Sequence, residues 1–109
     1  MKNITSKKEL DELLVQSHES PQVVFKHSLV CPVSRGAYDR LKSLLEESYF
    51  HLLIVQESAA LKMIVADLLD VEHQSPQVII IANGEAVYHA SHHSITKEDT
   101  LKALDEYQK

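Results

Sequence analysis

The sequence predicts an α/β domain: a four-stranded mixed sheet flanked by helices, in the order α-βαβα-ββ-α. Two observations carry that expectation. Between residues 20 and 70, β-rich runs alternate with amphipathic helical segments, and strands joined through a helix lie parallel, by a right-handed crossover. Farther on, Asn83-Gly84 separates two more β-rich stretches; both positions of a type I′ turn need positive φ, which Asn and Gly tolerate, so that pair runs antiparallel. With 109 residues, one domain over 1–109 is expected, since the chain is long enough for a single core and too short for two.

Each element follows from a local pattern. Ser6 and Glu9 stand at capping-box spacing and Leu10, Leu13 and Leu14 form one apolar stripe, which predicts a short helix over residues 6–17. Pro21 is a breaker. Val23, Val24 and Phe25 then predict a buried strand ending near His27 or Ser28. From Pro32 the period becomes helical, with Val33, Ala37, Leu41, Leu44 and Leu45 on one face and the pattern fading at Ser48. HLLIVQ, residues 51–56, predicts a second strand, and Leu61, Ile64, Val65, Leu68 and Leu69 predict a helix over 58–70. PQVIIIANGEAVYHA forms the hairpin. Thr96 with Asp99, followed by Leu101, Leu104 and Tyr107, predicts the closing helix.

Composition narrows the function classes. A net charge of −5, with the 11 Lys and Arg dispersed, argues against nucleic acid and against membrane surfaces. MKNITSKKEL lacks the apolar core of a signal peptide, and no apolar run approaches the roughly 20 residues of a spanning helix, so a cytoplasmic location is expected. The single cysteine cannot form an internal disulfide, which agrees with a reducing compartment.

A lone cysteine is most often a small buried hydrophobe. Cys31, however, lies in a polar-flanked loop just past a strand, where open α/β sheets place functional groups. With Pro32 as the first helical residue, its fixed φ suits the position and its missing N–H is no loss, so Cys31 becomes the N-cap. Its sulfur is then expected to face unpaired amides and the partial positive charge of the helix, a setting that favours thiolate and lowers cysteine pKa values to about 3.5–7.5. Ser34, three residues on, is expected to return its hydroxyl and N–H toward the sulfur, or else to make only a local backbone bond. Lacking a second cysteine, the chain would perform monothiol exchange with an outside thiol. Ser75-Pro76 opens a core strand, where proline is confined to the first residue or an edge. Only about 5–6% of X-Pro bonds are cis, so the local sequence supports a cis bond there weakly and the fold arrangement supports it better.

A Cys-Pro-x-Ser turn between the first core strand and a long helix, with a proline about 45 residues later opening a hairpin, resembles a thioredoxin fold. More narrowly, KHSLVCPVSRGAY, HQSPQVIIIANGEAVYHASHHSIT and the leading helix resemble the YtxJ-type monothiol bacilliredoxins of bacillithiol-producing bacteria, over nearly the whole chain. The resemblance implies removal of bacillithiol from protein mixed disulfides. It makes Cys31 the nucleophile, gives Pro32, Val33 and Ser34 the active-site turn, and places Pro76 as a cis proline beside the thiol. No bound cofactor is implied; bacillithiol is the thiol co-substrate, and the partners are bacillithiolated client proteins and a low-molecular-weight thiol. The family pattern usually has Thr and Ile where this chain has Val30 and Val33, so a hydroxyl near the thiol is missing. His93 stands where an aromatic such as Trp is expected.

Lys26, His27 and Arg35 flank the cysteine and are expected either to stabilise thiolate and meet the carboxylates of bacillithiol, or to be solvated; Ser75, Pro76, Lys26 and Arg35 are taken as the substrate groove. His89, His92 and His93 lack cysteine or carboxylate partners at metal-ligand spacing and are assigned a surface or turn role. Two other functions stay open. One is a monothiol glutaredoxin-like iron–sulfur carrier, although that role usually needs a glycine pair and the chain's only glycines are Gly36 and Gly84. The other is a non-catalytic thioredoxin-like binding module.

Overall fold

The computed structural model describes residues 2–108. Among them, five strands and four α-helices follow in the order β1 (Lys2–Asn3), α1 (Lys7–Gln16), β2 (Gln22–His27), α2 (Pro32–Leu41), β3 (Phe50–Ile54), α3 (Ala59–Leu69), β4 (Gln77–Ala82), β5 (Glu85–Ser91) and α4 (Lys97–Glu106). The sheet order is β1-β3-β2-β4-β5. Strand β2 lies parallel to β3 and antiparallel to β4, and β4 pairs antiparallel with β5, which gives the mixed sheet its expected character. The fifth strand, β1, is a correction to the four expected. Its two residues have exposed side chains and therefore no apolar pattern, yet they pair with His51 and Leu52 of β3.

Strand alternation divides the core into two layers. Val23 and Phe25 of β2, Phe50 and Leu52 of β3, and Val78 and Ile80 of β4 face Ala37, Leu41, Ala103 and Leu104 of α2 and α4. Val24, Leu53, Ile79 and Ile81 point the other way, onto Leu10, Leu13, Leu61 and Val65 of α1 and α3. Helix α2 stops at Leu41, short of the expected Ser48, and the chain tightens into a 3-10 turn over Lys42–Leu44. That turn leaves both Leu44 and Leu45 buried, which explains why the apolar pattern outlasts the helix.

The caps form as the spacing predicts: Ser6 accepts from the Glu9 N–H and Thr96 from the Asp99 N–H. Asn83 and Gly84 adopt φ of 54° and 78°, as a type I′ turn requires. The hairpin tip docks on the end of α1, where Ser17 accepts from both turn residues: its carbonyl from Asn83 N–H at 2.9 Å and its Oγ from Gly84 N–H at 2.8 Å.

Candidate active site

Strand β2 crosses to α2 through Ser28, Leu29 and Val30, and three hydrogen bonds fix that loop. Ser28 N–H donates to Ser34 Oγ at 2.9 Å, Leu29 N–H donates to Gln56 Oε1 at 3.1 Å, and Gln56 Nε2 donates to Ser28 Oγ at 2.8 Å. Gln56, just past β3, is a positioning residue that no sequence signal marks. With the backbone held, Leu29 and Val30 project outward, 59% and 82% exposed.

Cys31 follows as the N-cap of α2, with extended φ and ψ and Pro32 opening the helix. The thiol is free and half-buried. One expectation is corrected: the sulfur accepts no hydrogen bond from the amides of the first turn. Sulfur is a weak acceptor, and here the residue lines an open cavity of about 250 Å³ with Leu29, Val30, Pro32 and Arg35.

Ser34 also departs from the expected geometry. Its side chain is fully buried and its hydroxyl is committed to the end of β2, 2.7 Å from His27 Nδ1 as well as bonded to Ser28 N–H. Burial lowers the His27 pKa, favouring the neutral ring. In that state Nδ1 accepts the Ser34 proton while Ser34 Oγ accepts from Ser28, which satisfies all three groups. The His27 ring is stacked between Phe25, at 5.5 Å, and Tyr38, at 4.9 Å.

Lys26 does not join this group. Alternation along β2 sends its side chain to the α3 side of the sheet, where it is fully buried with Nζ 3.2 Å from His73 Nδ1. Burial, and then the nearby Lys62, pushes the Lys26 pKa down to about 8. Burial followed by Lys26 and Lys62 likewise lowers that of His73. Lys26 thereby ties β2 to the segment that precedes Pro76. The Ser75–Pro76 peptide is cis. Pro76 is buried, and its carbonyl accepts from His92 N–H at 3.1 Å. Ser75 Oγ is buried without a hydrogen-bond partner and lines neither cavity beside Cys31. Because Gln77 pairs with Lys26 across β2 and β4, Pro76 and Cys31 follow from the same end of the sheet, where β2 finishes and β4 begins. Of the four residues assigned to the groove, only Arg35 lines the cavity at the thiol.

A second cavity, of about 290 Å³, runs along α2 and is lined by His27, Ser28, Leu29, Arg35, Tyr38, Asp39 and Lys42. The histidine cluster behaves as a turn: His92 has a φ of 53°, and its carbonyl and that of Ile95 accept from the Arg40 guanidinium at 3.1 and 2.6 Å. No group of three or more His, Cys, Asp or Glu among the described residues is placed to hold a metal ion. No described helix is long and apolar enough to cross a membrane.

Residues 2–100 match the family described as monothiol bacilliredoxin BrxC. The chain belongs to that family. Bacilliredoxin membership and the fold agree: a solved protein described as a proposed oxidoreductase with a thioredoxin fold superposes with a TM-score of 0.83 at 29% identity, covering 94% of this chain and 91% of its own. Thioredoxin from Fasciola hepatica gives 0.75 at 16% identity over 99% of this chain and all of its own. A thioredoxin variant from Halobacterium salinarum gives 0.72 at 20% over 99% and 90%. These two establish the fold. Family and fold together make the chain a monothiol redox protein, with Cys31 as its one thiol.

Proposed function

We propose that this bacilliredoxin removes bacillithiol from protein mixed disulfides in a reducing cytoplasm. The Cys31 thiolate attacks the bacillithiol sulfur of the client's mixed disulfide. A Cys31–bacillithiol bond forms, the client's S–S bond breaks, and the client sulfur leaves as a thiolate that takes up a proton. A second low-molecular-weight thiol then attacks the adduct and regenerates Cys31, with a disulfide as the other product. The clients, the bacillithiol co-substrate and the absence of any bound cofactor are all part of this reading.

The carrying observation is that a half-buried cysteine opens α2 and lines an open cavity, while the third position after it holds a hydroxyl bonded elsewhere. No internal thiol competes for the adduct, so the outside thiol must resolve it. Thiolate is the attacking species, and the N-terminal end of α2 presents its partial positive charge where the residue sits. Exposed Leu29, Val30 and Pro32 give the client an apolar rim to rest against.

The test is release of bacillithiol from a purified bacillithiolated client by the wild type and by Cys31→Ser. The expected result is release by the wild type only. Equal release by both would overturn the proposal.

A further inference from the structure

The cavity at Cys31 and the cavity along α2 share Leu29 and Arg35 as lining residues, so the two lie side by side and together make the groove beside the sulfur. Its charged members are Arg35, Asp39 and Lys42. Arg35 and Asp39 are neighbours one turn apart on α2, and Lys42, in the 3-10 turn that follows, lines the same cavity. In a chain with 16 acidic and 11 basic residues, this groove reverses the balance to two cations against one carboxylate.

Among the described residues, no hydrogen bond or ion pair engages any of these three side chains. Arg40, on the same helix, shows the contrast, since its guanidinium is spent on two backbone carbonyls. The groove floor is built rather than incidental. His27, 8% exposed, is locked by Ser34 through Nδ1 and by Tyr38 through stacking.

We propose that this groove binds the polar end of the low-molecular-weight thiol, with its carboxylates at Arg35 and Lys42 and its amino group at Asp39, while its sulfur meets Cys31. A guanidinium suits bidentate recognition of carboxylate and an ammonium adds a point charge, so a thiol carrying both carboxylate and amine fits better than a neutral one. The inference rests on the de-bacillithiolation reading and specifies which part of the protein recognises the small thiol. Client recognition is left to the rim formed by Leu29, Val30 and Pro32.

The test compares two substrates on one peptide: a bacillithiol mixed disulfide, and the same adduct with its carboxylates converted to methyl esters. The readout is the ratio of kcat/KM for the charged adduct to that for the ester, in the wild type, Arg35→Glu, Lys42→Glu and Arg35→Lys. Expected is a ratio that falls about tenfold in each charge-reversal variant, mainly through KM. It should be largely retained in Arg35→Lys and should shrink in the wild type as salt is raised. Bacillithiol release whose charged-to-ester ratio is indifferent to both reversals overturns the groove and leaves the de-bacillithiolation reading standing. Wild-type protein that reduces bis(2-hydroxyethyl) disulfide yet releases no bacillithiol overturns that reading, and the groove assignment with it.

Discussion

Ser34 Oγ lies 2.7 Å from His27 Nδ1 and takes the Ser28 N–H at 2.9 Å, so the hydroxyl three residues after the only cysteine secures the end of β2. A residue that looks like a partner for the sulfur is a clamp on the loop that presents it. Ser34→Ala strands a buried N–H and an imidazole nitrogen, which costs on the order of 2 kcal/mol. Denaturant unfolding should show that loss. Stability within about 0.5 kcal/mol of the wild type would contradict the clamp.

Lys26 is a fully buried cation whose Nζ lies 3.2 Å from His73 Nδ1. Exchanging a buried charge for an apolar side chain of similar length removes a desolvation cost, so Lys26→Met is expected to gain on the order of 1 kcal/mol at pH 7. The pH dependence carries a second signature. With the folded pKa near 8 against an ordinary 10.5, the unfolded chain binds more protons between those values, and stability from this group rises as pH climbs through that window. The variant should lose that rise; keeping it would show that another group is responsible.

His51 is buried and its Nε2 meets Gln22 Oε1 at 2.8 Å. Burial, followed by the charge of Lys2, pushes its pKa down to about 4. Its contribution to stability is complete above pH 6.5 and is lost as pH falls from 6.5 toward 4, because the unfolded chain protonates first. The size is roughly 3 kcal/mol at most. His27 and His73 are lowered too and add in the same direction. Unfolding at pH 7 and pH 4.5 should give a smaller difference for His51→Gln than for the wild type. Equal differences would remove His51 from the account.

Gly84 carries a φ of +78°, and a Cβ there would meet His18 Nε2 at 3.3 Å. Gly84→Ala should therefore cost about 1–2 kcal/mol from the left-handed backbone alone. A melting temperature equal to that of the wild type would show that the hairpin tip tolerates a side chain.

Much of the fold is legible from residues that act locally. Asn83-Gly84 dictates the hairpin, and Ser6 and Thr96 cap their helices without help from distant contacts. Strand β1 is not legible, because two exposed residues show no period and gain their structure only from β3. At the site, Cys31 and Pro32 announce a helix start, but the direction of a side chain depends on its strand. Lys26 and His27 are adjacent in sequence and lie on opposite faces of the sheet, a consequence of the two-residue period that nearness to Cys31 conceals. Gln56 and Lys42 reach the site from outside the Cys-Pro-x-Ser turn, so no motif names them.

The most direct measurement is the intact mass of the protein after a single turnover with a bacillithiolated client, followed by peptide mapping. The expected result is one bacillithiol adduct, on Cys31, in equal amount to the client thiol set free. Client thiol appearing with Cys31 unmodified, and with no adduct trapped at any time point, would contradict exchange through this cysteine.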